Sequence, residues 1–413
     1  MEPAGKLKPE SWMTERETVA VMHALMADGV PARFVGGCVR DSILGRAVKD
    51  IDIATAEPPD RVVALLETAG LKAIPTGIDH GTITAVVDGA TFEITSLRLD
   101  VETFGRRARV AFTDDWAADA ERRDFTMNAV FCDLAGTLYD PTGGLPDLKA
   151  GRVRFVGEAR ERIREDQLRL LRFFRLYAYY GTGPADRAAL LACRERAPGI
   201  HTLSAERIWS ELKNLLLARA AADVLDLMAE WDVLNHALPE AGSRETLARL
   251  VDIEAKSAAV LDPVRRLSIL LDIDDAGAID FATRLRLSKA ETQRLRTFVT
   301  PPMRPSPEGT AAQNRVMLYR LGKDLFADLV LLGWSLDRSG PDEAWRTLLT
   351  LAERVPVPAF PLSGRHVLAL GVESGPRVRE LLDSVERWWI DNDFRPDRAA
   401  CLEQLKVAAP SRR

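Results

Sequence analysis

Phe34-Val35-Gly36-Gly37-Cys38-Val39-Arg40-Asp41, followed by Lys49-Asp50-Ile51-Asp52-Ile53, is the stretch whose reading decides the fold. The β-forming segment Arg33–Val39 carries a glycine pair. A strand that ends in two glycines ahead of a helix start lets backbone N–H groups approach a phosphate closely, and Arg40 lies within reach of the same phosphate. In the second run, Ile51–Thr55 reads as a strand. Side chains two apart on a strand share a face, so Asp50 and Asp52 converge while Ile51 and Ile53 point into the core. Hard carboxylate donors on one rigid strand suit magnesium, which keeps positions open for substrate phosphates. A D-x-D pair alone more often marks a solvated strand face; the glycine turn ahead of it favours a phosphate and metal site.

The flanking sequence continues an α+β pattern. Pro59–Ala69 has helical apolar spacing. Thr82–Val87 and Thr91–Leu97 straddle Asp88-Gly89, a hairpin turn whose residues both tolerate positive φ. Glu93, on the outgoing arm, is a candidate third carboxylate or else an exposed strand residue. Beyond residue 150 the signal is helical: Arg160–Tyr180 reads as one long helix without proline or glycine, and Ser204 with Glu206 reads as a capped start of a helix running to Leu217. Ala220–Glu230, Pro263–Leu271, Lys289–Val299, Arg315–Leu332 and Val378–Trp389 repeat that spacing. Prolines 301, 302, 305 and 307, and then 356, 358 and 361, mark loops between helical units. The expected architecture is an α+β head with a small mixed β-sheet over residues 1–150, followed by an all-α neck (151–200), body (201–300) and tail (301–413).

Composition excludes several classes. A chain of 413 residues, 46% hydrophobic and 28% charged, reads as an ordinary multidomain globular protein. The polar start lacks an apolar secretory segment and no apolar run spans a bilayer, so a cytoplasmic location is expected. The four cysteines form no C-x-x-C pair, which argues against structural zinc and disulfides. No His-Asp dipeptide accompanies the histidines. The net charge of −5 speaks mildly against nucleic-acid binding, but residues 151–200 carry eleven arginines, six acids and no lysine. Arginine at that density favours planar, bidentate contacts over diffuse charge.

Gly36-Gly37-Cys38-Val39-Arg40-Asp41 followed by Asp50-Ile51-Asp52 resembles the signature of the DNA polymerase β nucleotidyltransferase superfamily, and more narrowly that of the bacterial-type (class II) CCA-adding tRNA nucleotidyltransferases and the related poly(A) polymerases. Three further segments match in order. Arg122-Arg123-Asp124-Phe125-Thr126-Met127-Asn128-Ala129 is similar to the family's sugar-recognition motif. Asp140-Pro141-Thr142-Gly143-Gly144 resembles its head-to-neck turn. Glu165-Asp166-Gln167-Leu168-Arg169-Leu170-Leu171-Arg172-Phe173-Phe174-Arg175 resembles its base-selecting helix. The match covers head and neck; the C-terminal half matches only as a helical region. The resemblance implies template-independent addition of C, C and A to the 3′ end of tRNA from CTP and ATP, with release of pyrophosphate and Mg2+ as cofactor. It implies metal binding by Asp50 and Asp52, beside which Glu93 stays the candidate third catalytic carboxylate of the strand reading. It implies nucleotide contacts from Gly36, Gly37, Arg40, Arg123, Asp124 and Asn128, and a base pocket from Asp166, Arg169, Arg172 and Arg175. The segment Asp100–Arg107 reads as a mobile loop, which in the family is associated with the switch from C to A addition.

Asp166 and Arg169, three apart on one expected helix, would be neighbours on one face. Cytosine and adenine both present an amino donor beside a ring-nitrogen acceptor, which a carboxylate and a guanidinium can pair. Uracil and guanine present the opposite order and leave buried polar groups unmatched. The alternative to this pocket is an amphipathic helix with a solvated basic face. For the whole chain, the alternatives are a poly(A) polymerase, a CC-only or A-only enzyme, and a non-catalytic RNA-binding module. Trp388-Trp389 reads as packing in preference to a base-stacking platform, and Arg152–Arg164 as part of a tRNA backbone contact.

Overall fold

The computed structural model describes residues 1–78, 81–104 and 107–409. They fall into two compact units, one within residues 1–244 with 280–288, and one within residues 245–279 with those from 289 onward.

The first unit opens with β1 (Gly5–Lys6), α1 (Ser11–Thr14), α2 (Arg16–Leu25), β2 (Ala32–Val35), α3 (Gly37–Ile43), β3 (Ile51–Thr55) and α4 (Pro59–Thr68). It continues with β4 (Lys72–Gly77), β5 (Thr82–Val87), β6 (Ala90–Ser96), β7 (Arg98–Phe104), β8 (Arg107–Phe112), α5 (Trp116–Glu121), β9 (Phe131–Cys132), β10 (Thr137–Tyr139) and α6 (Gly144–Lys149). The helices α7 (Ala159–Glu165), α8 (Leu168–Tyr180), α9 (Arg187–Arg196), α10 (Ala205–Leu217), α11 (Ala221–Glu230) and α12 (Leu234–Ala237) follow. Among the described residues one eight-stranded mixed sheet forms, in the order β1-β10-β9-β2-β3-β6-β5-β4, with β3 and β6 parallel. Strand alternation gives it two apolar faces. Phe34, Ile53, Ile83, Phe92 and Ile94 pack with Val62 and Leu66 of α4 and with Met22 and Leu25 of α2. Val35, Ala54 and Leu97 pack with Trp116, Phe131 and Val156 on the other side.

The α+β head and helical remainder agree with the sequence reading, and β3, β5 and the helix at Lys289–Val299 have the expected limits. The turn between β5 and β6 holds Asp88 and Gly89 at φ of 48° and 91°. Three expectations for this unit need correction. The strand expected to Val39 stops at Val35, because Gly36 turns the backbone to φ +78° and α3 begins at Gly37. The single helix expected over 160–180 is two: Asp166, at φ −146° and ψ 108°, separates α7 from α8, and its carboxylate accepts the Leu168 N–H at 3.1 Å. The segment expected as a loop around Gly105 is largely the β7–β8 hairpin; Gly105 and Arg106 lie outside the described residues.

The second unit contains α13 (Arg244–Ser257), α14 (Pro263–Leu270), α15 (Asp275–Arg284), α16 (Lys289–Val299), α17 (Ala311–Leu321), α18 (Lys323–Leu336), α19 (Asp342–Arg354), α20 (Gly364–Leu368), α21 (Pro376–Asp391) and α22 (Arg398–Ala408), with the unit boundaries cutting α13 and α15. One helix expected over 315–332 is divided by Gly322 at φ +76°. Buried Arg265 and Arg266 share Glu254, and Arg265 also reaches Asp328 at 2.6 Å, so the buried charges are paired. Trp389 packs edge-on against Phe394 and Tyr319, as expected of a packing residue.

The turn after β10 is fixed by Asp140, whose carboxylate accepts the N–H groups of Gly144 at 2.7 Å and Leu145 at 2.8 Å. A Cβ on Gly144 would lie 2.2 Å from the Thr126 carbonyl oxygen, a backbone clash that no rotamer relieves. Gly144→Ala is therefore expected to destabilise the protein by about 2–4 kcal/mol in denaturant unfolding followed by circular dichroism. A change within about 0.5 kcal/mol would contradict this packing.

Candidate active site

On β3 and β6 the register sets Asp52 beside Glu93 and Ile53 beside Ile94. The isoleucines are fully buried, which commits the carboxylates to the opposite face. There they line a cleft of about 670 Å³ together with Asp50, which immediately precedes β3. Gly36 closes over this wall, and a Cβ at that position would lie 3.3 Å from Asp52 Oδ2. Burial, then Glu93 and Asp50, push the Asp52 carboxyl up to about 6 against the pull of Arg123 and Arg40.

A basic wall faces these acids, and in it Arg40, Arg122, Arg123 and Arg172 are each held by a carboxylate. Asp119, fully buried on α5, accepts from Arg122 and Arg123 at 2.9 Å each. Burial alone would raise its carboxyl, but the two guanidinium groups hold it below its ordinary value. Asp124 accepts from Asn128 Nδ2 at 3.1 Å and from Arg172 Nε at 2.8 Å. Burial opposes its charge, yet Arg172, the Asn128 amide and Arg169 hold it at about 2, a permanent acceptor at neutral pH. Arg40 donates to Asn128 Oδ1 at 2.7 Å and pairs with its neighbour Asp41.

The neck supplies the far end. Asp166 sits in the break between α7 and α8, not on a helix face, and its second oxygen accepts from Arg207 of α10 at 2.7 Å. Arg169, in the first turn of α8, donates to the carbonyl oxygens of Arg162 and Arg122 at 3.1 Å each and pairs with Glu165. Arg175 pairs with Glu211 of α10. Asp50, Asp52, Glu93, Gly36, Gly37, Arg40, Arg123, Asp124, Asn128, Asp166, Arg169, Arg172 and Arg175 thus all line this one cleft.

Sequence reading missed Thr82, Thr95, Arg98, Arg122 and Arg207, which line the same cleft, and Glu211, which orients Arg175. Thr82 and Thr95 were readable as the cleft-facing positions of strands already expected, alternating with Ile83 and Ile94. Arg207 and Glu211 carry no local signal, because only the packing of α10 against α8 brings them to the site.

Among the described residues no group of three or more His, Cys, Asp or Glu side chains is arranged to enclose a metal ion. The donor set still fits a divalent cation bound jointly with phosphate oxygens: it is all carboxylate, and Asp52 is raised by burial and then by neighbours of like charge, which a cation would neutralise. All four cysteines are buried and unpaired, as expected of small hydrophobes. No helix among the described residues is long and apolar enough to cross a membrane.

The Asp52 shift has a stability consequence. An aspartate whose carboxyl is raised on folding binds its proton more tightly in the native state, so stability falls as pH rises from near 4 to about 6 and stays lowered above. Asp52→Asn is expected to stabilise the metal-free protein at pH 8 by about 1–2 kcal/mol, allowing for partial solvent screening, and to give no gain at pH 4. Urea unfolding in the presence of a chelator at the two pH values measures this; an equal effect at both would contradict it.

Known proteins resemble this chain in sequence and in fold. Residues 32–154 match the family model described as a Poly A polymerase head domain, and residues 186–243 match a probable RNA and SrmB-binding site of polymerase A. The human mitochondrial CCA tRNA nucleotidyltransferase 1 is 34% identical over 391 residues, covering 91% of this chain and 86% of that protein. A CCA-adding enzyme of Geobacillus stearothermophilus is 38% identical over 239 residues, 57% of either chain. Among solved structures, the Bacillus stearothermophilus CCA-adding enzyme in complex with CTP superposes with a TM-score of 0.76 at 28% identity, over 95% of this chain and 97% of that one. The Thermotoga maritima CCA-adding enzyme complexed with tRNA superposes at 0.66 over 99% of this chain and 100% of that one; at 18% identity it shows the shared fold.

Proposed function

We infer the reaction from a plain premise, that this chain belongs to the CCA tRNA nucleotidyltransferase family: it adds C, C and A to the 3′ end of tRNA, using CTP and ATP and releasing pyrophosphate. The observation that carries the reading is the single cleft in which an acidic wall, a basic wall and the Asp166–Arg169 pair meet. Members of the nucleotidyltransferase family generally use divalent metals. Here Asp50 and Asp52 would hold Mg2+, with Glu93 beside them. The chemistry supplied when such ions are bound is activation of the attacking 3′-hydroxyl and charge stabilisation of the leaving pyrophosphate.

The chain's own residues position the reactants. The 3′-oxygen forms a bond to the α-phosphorus while the bond to the β-phosphate oxygen breaks, so little is required beyond alignment and charge. Arg40 and Arg123 meet the triphosphate, and Gly36 and Gly37 leave the backbone open to it. Asp124, kept ionised, and Asn128 stand at the ribose. Asp166 accepts from the amino group of cytosine or adenine, and Arg169 donates to the adjacent ring nitrogen. Arg207 orients the carboxylate; Glu165 and two carbonyl oxygens orient the guanidinium. Arg172 and Arg175 complete the pocket. In this reading residues 1–150 are the catalytic head, 151–200 the neck, 201–300 the body and 301–413 a tRNA-binding tail, with Arg152–Arg164 facing the tRNA backbone. A cytoplasmic location belongs to the same reading, although the human relative is mitochondrial. Poly(A) synthesis is the second reading, favoured by the head-domain match.

Asp52→Ala should lower nucleotide addition to tRNA by at least about 10³-fold in a primer-extension assay; retention of activity would refute the acidic wall as the catalytic centre. Asp166→Ala and Arg169→Ala should each raise use of UTP relative to CTP by about 10- to 100-fold, since each removes one discriminating hydrogen bond. Unchanged selectivity in both would remove the base pocket.

A further inference from the structure

Tyr180, the last residue of α8, makes contacts that the proposed reaction leaves unused. Its hydroxyl donates to Asp41 Oδ1 at 2.8 Å. Its ring lies beneath two guanidinium groups, with Arg40 at 4.2 Å and Arg46 at 4.5 Å from the centroid. Arg40 Nε and Nη2 grip the two oxygens of the same Asp41 at 3.0 and 3.1 Å, and Arg40 Nη1 donates to Asn128. Arg46 donates to the Tyr179 carbonyl oxygen at 2.7 Å, a second tie between the segment after α3 and the end of α8.

These contacts close a ring. From Arg172 on α8 the path runs to Asp124, to Asn128, to Arg40, and back to α8 at Tyr180. Arginine side chains carry large rotamer freedom. A stacked ring and a bidentate carboxylate remove that freedom before any ligand arrives, which is the condition for an electrostatic clamp that needs no rearrangement. A phenylalanine in place of Tyr180 would keep the stacking and lose the hold on Asp41; an alanine would lose both.

We propose that Tyr180 is a positioning residue for the triphosphate end of the cleft: it fixes Arg40 through its ring and Asp41 through its hydroxyl. The helix that carries Arg169 in its first turn thereby also sets the phosphate-facing arginine at its end. This rests on the reading of Arg40 as a triphosphate contact.

The test is equilibrium binding of CTP and of CMP, with Mg2+, to the full chain and to its Tyr180→Phe, Tyr180→Ala, Arg40→Ala and Tyr180→Ala/Arg40→Ala variants. Tyr180→Ala should weaken CTP about 10-fold and Tyr180→Phe about 2- to 3-fold, with CMP affinity held within about 2-fold. The double variant should bind CTP no more weakly than Arg40→Ala, because Tyr180 acts through that side chain. Parallel loss of CMP and CTP in Tyr180→Ala would mark a general loosening of the cleft and overturn the proposal, as would additive losses in the double variant. If Arg40→Ala weakens CTP but Tyr180→Ala does not, the role of Tyr180 fails and the reading of Arg40 stands. If Arg40→Ala leaves CTP affinity unchanged, the reading of Arg40 fails and the proposal falls with it.

Discussion

Setting Asp52 beside Glu93 on adjacent parallel strands concentrates like charge in a partly buried place, and the rest of the cleft answers that constraint. The isoleucines alternating with these acids are fully buried, so the carboxylates cannot turn inward without exposing the core. Burial and mutual repulsion raise Asp52 to about 6. Arg123 and Arg40 pull the other way, but free arginines beside free aspartates would simply collapse onto them. Each is restrained by a different acid, Asp119 for Arg123 and Asp41 for Arg40.

The same device recurs towards the neck. Arg172 is held by Asp124, Arg175 by Glu211, Arg169 by Glu165, and Asp166 in turn by Arg207. Within the arginine-rich segment of a chain of net charge −5, the guanidinium groups that line the cleft are thus oriented one by one. Oriented groups suit recognition of a base edge better than a general attraction for phosphate would. In the proposed reading such a cleft acts as its own template.

Much of this was legible in the sequence because it depends on short-range periodicity. The two-residue repeat of Asp50-Ile51-Asp52-Ile53 fixed both which side chains reach the cleft and which reach the core, and Asp88-Gly89 announced the hairpin whose outgoing arm carries Glu93, although its parallel pairing with β3 is long-range. What periodicity could not carry was the break at Asp166. The segment 160–180 contains no proline or glycine, and the chain breaks where the Asp166 carboxylate takes the Leu168 N–H, an arrangement that pairing with Arg207 supports from 41 residues away. The hairpin β7–β8 was missed for a different reason: its polar composition outweighed an alternation that was present in Leu99, Val101 and Thr103. Arg207, Glu211 and Tyr180 owe their places to helix packing and to the approach of α3, neither of which leaves a local mark.

The reading of this cleft as a protein template is tested most directly by the sequence of its product. Transfer RNA lacking its 3′ terminus, incubated with the protein, Mg2+ and all four nucleoside triphosphates, should gain three residues reading C, C, A and then stop. A run of adenosines, a product ending after two cytidines, or incorporation of U or G would contradict it.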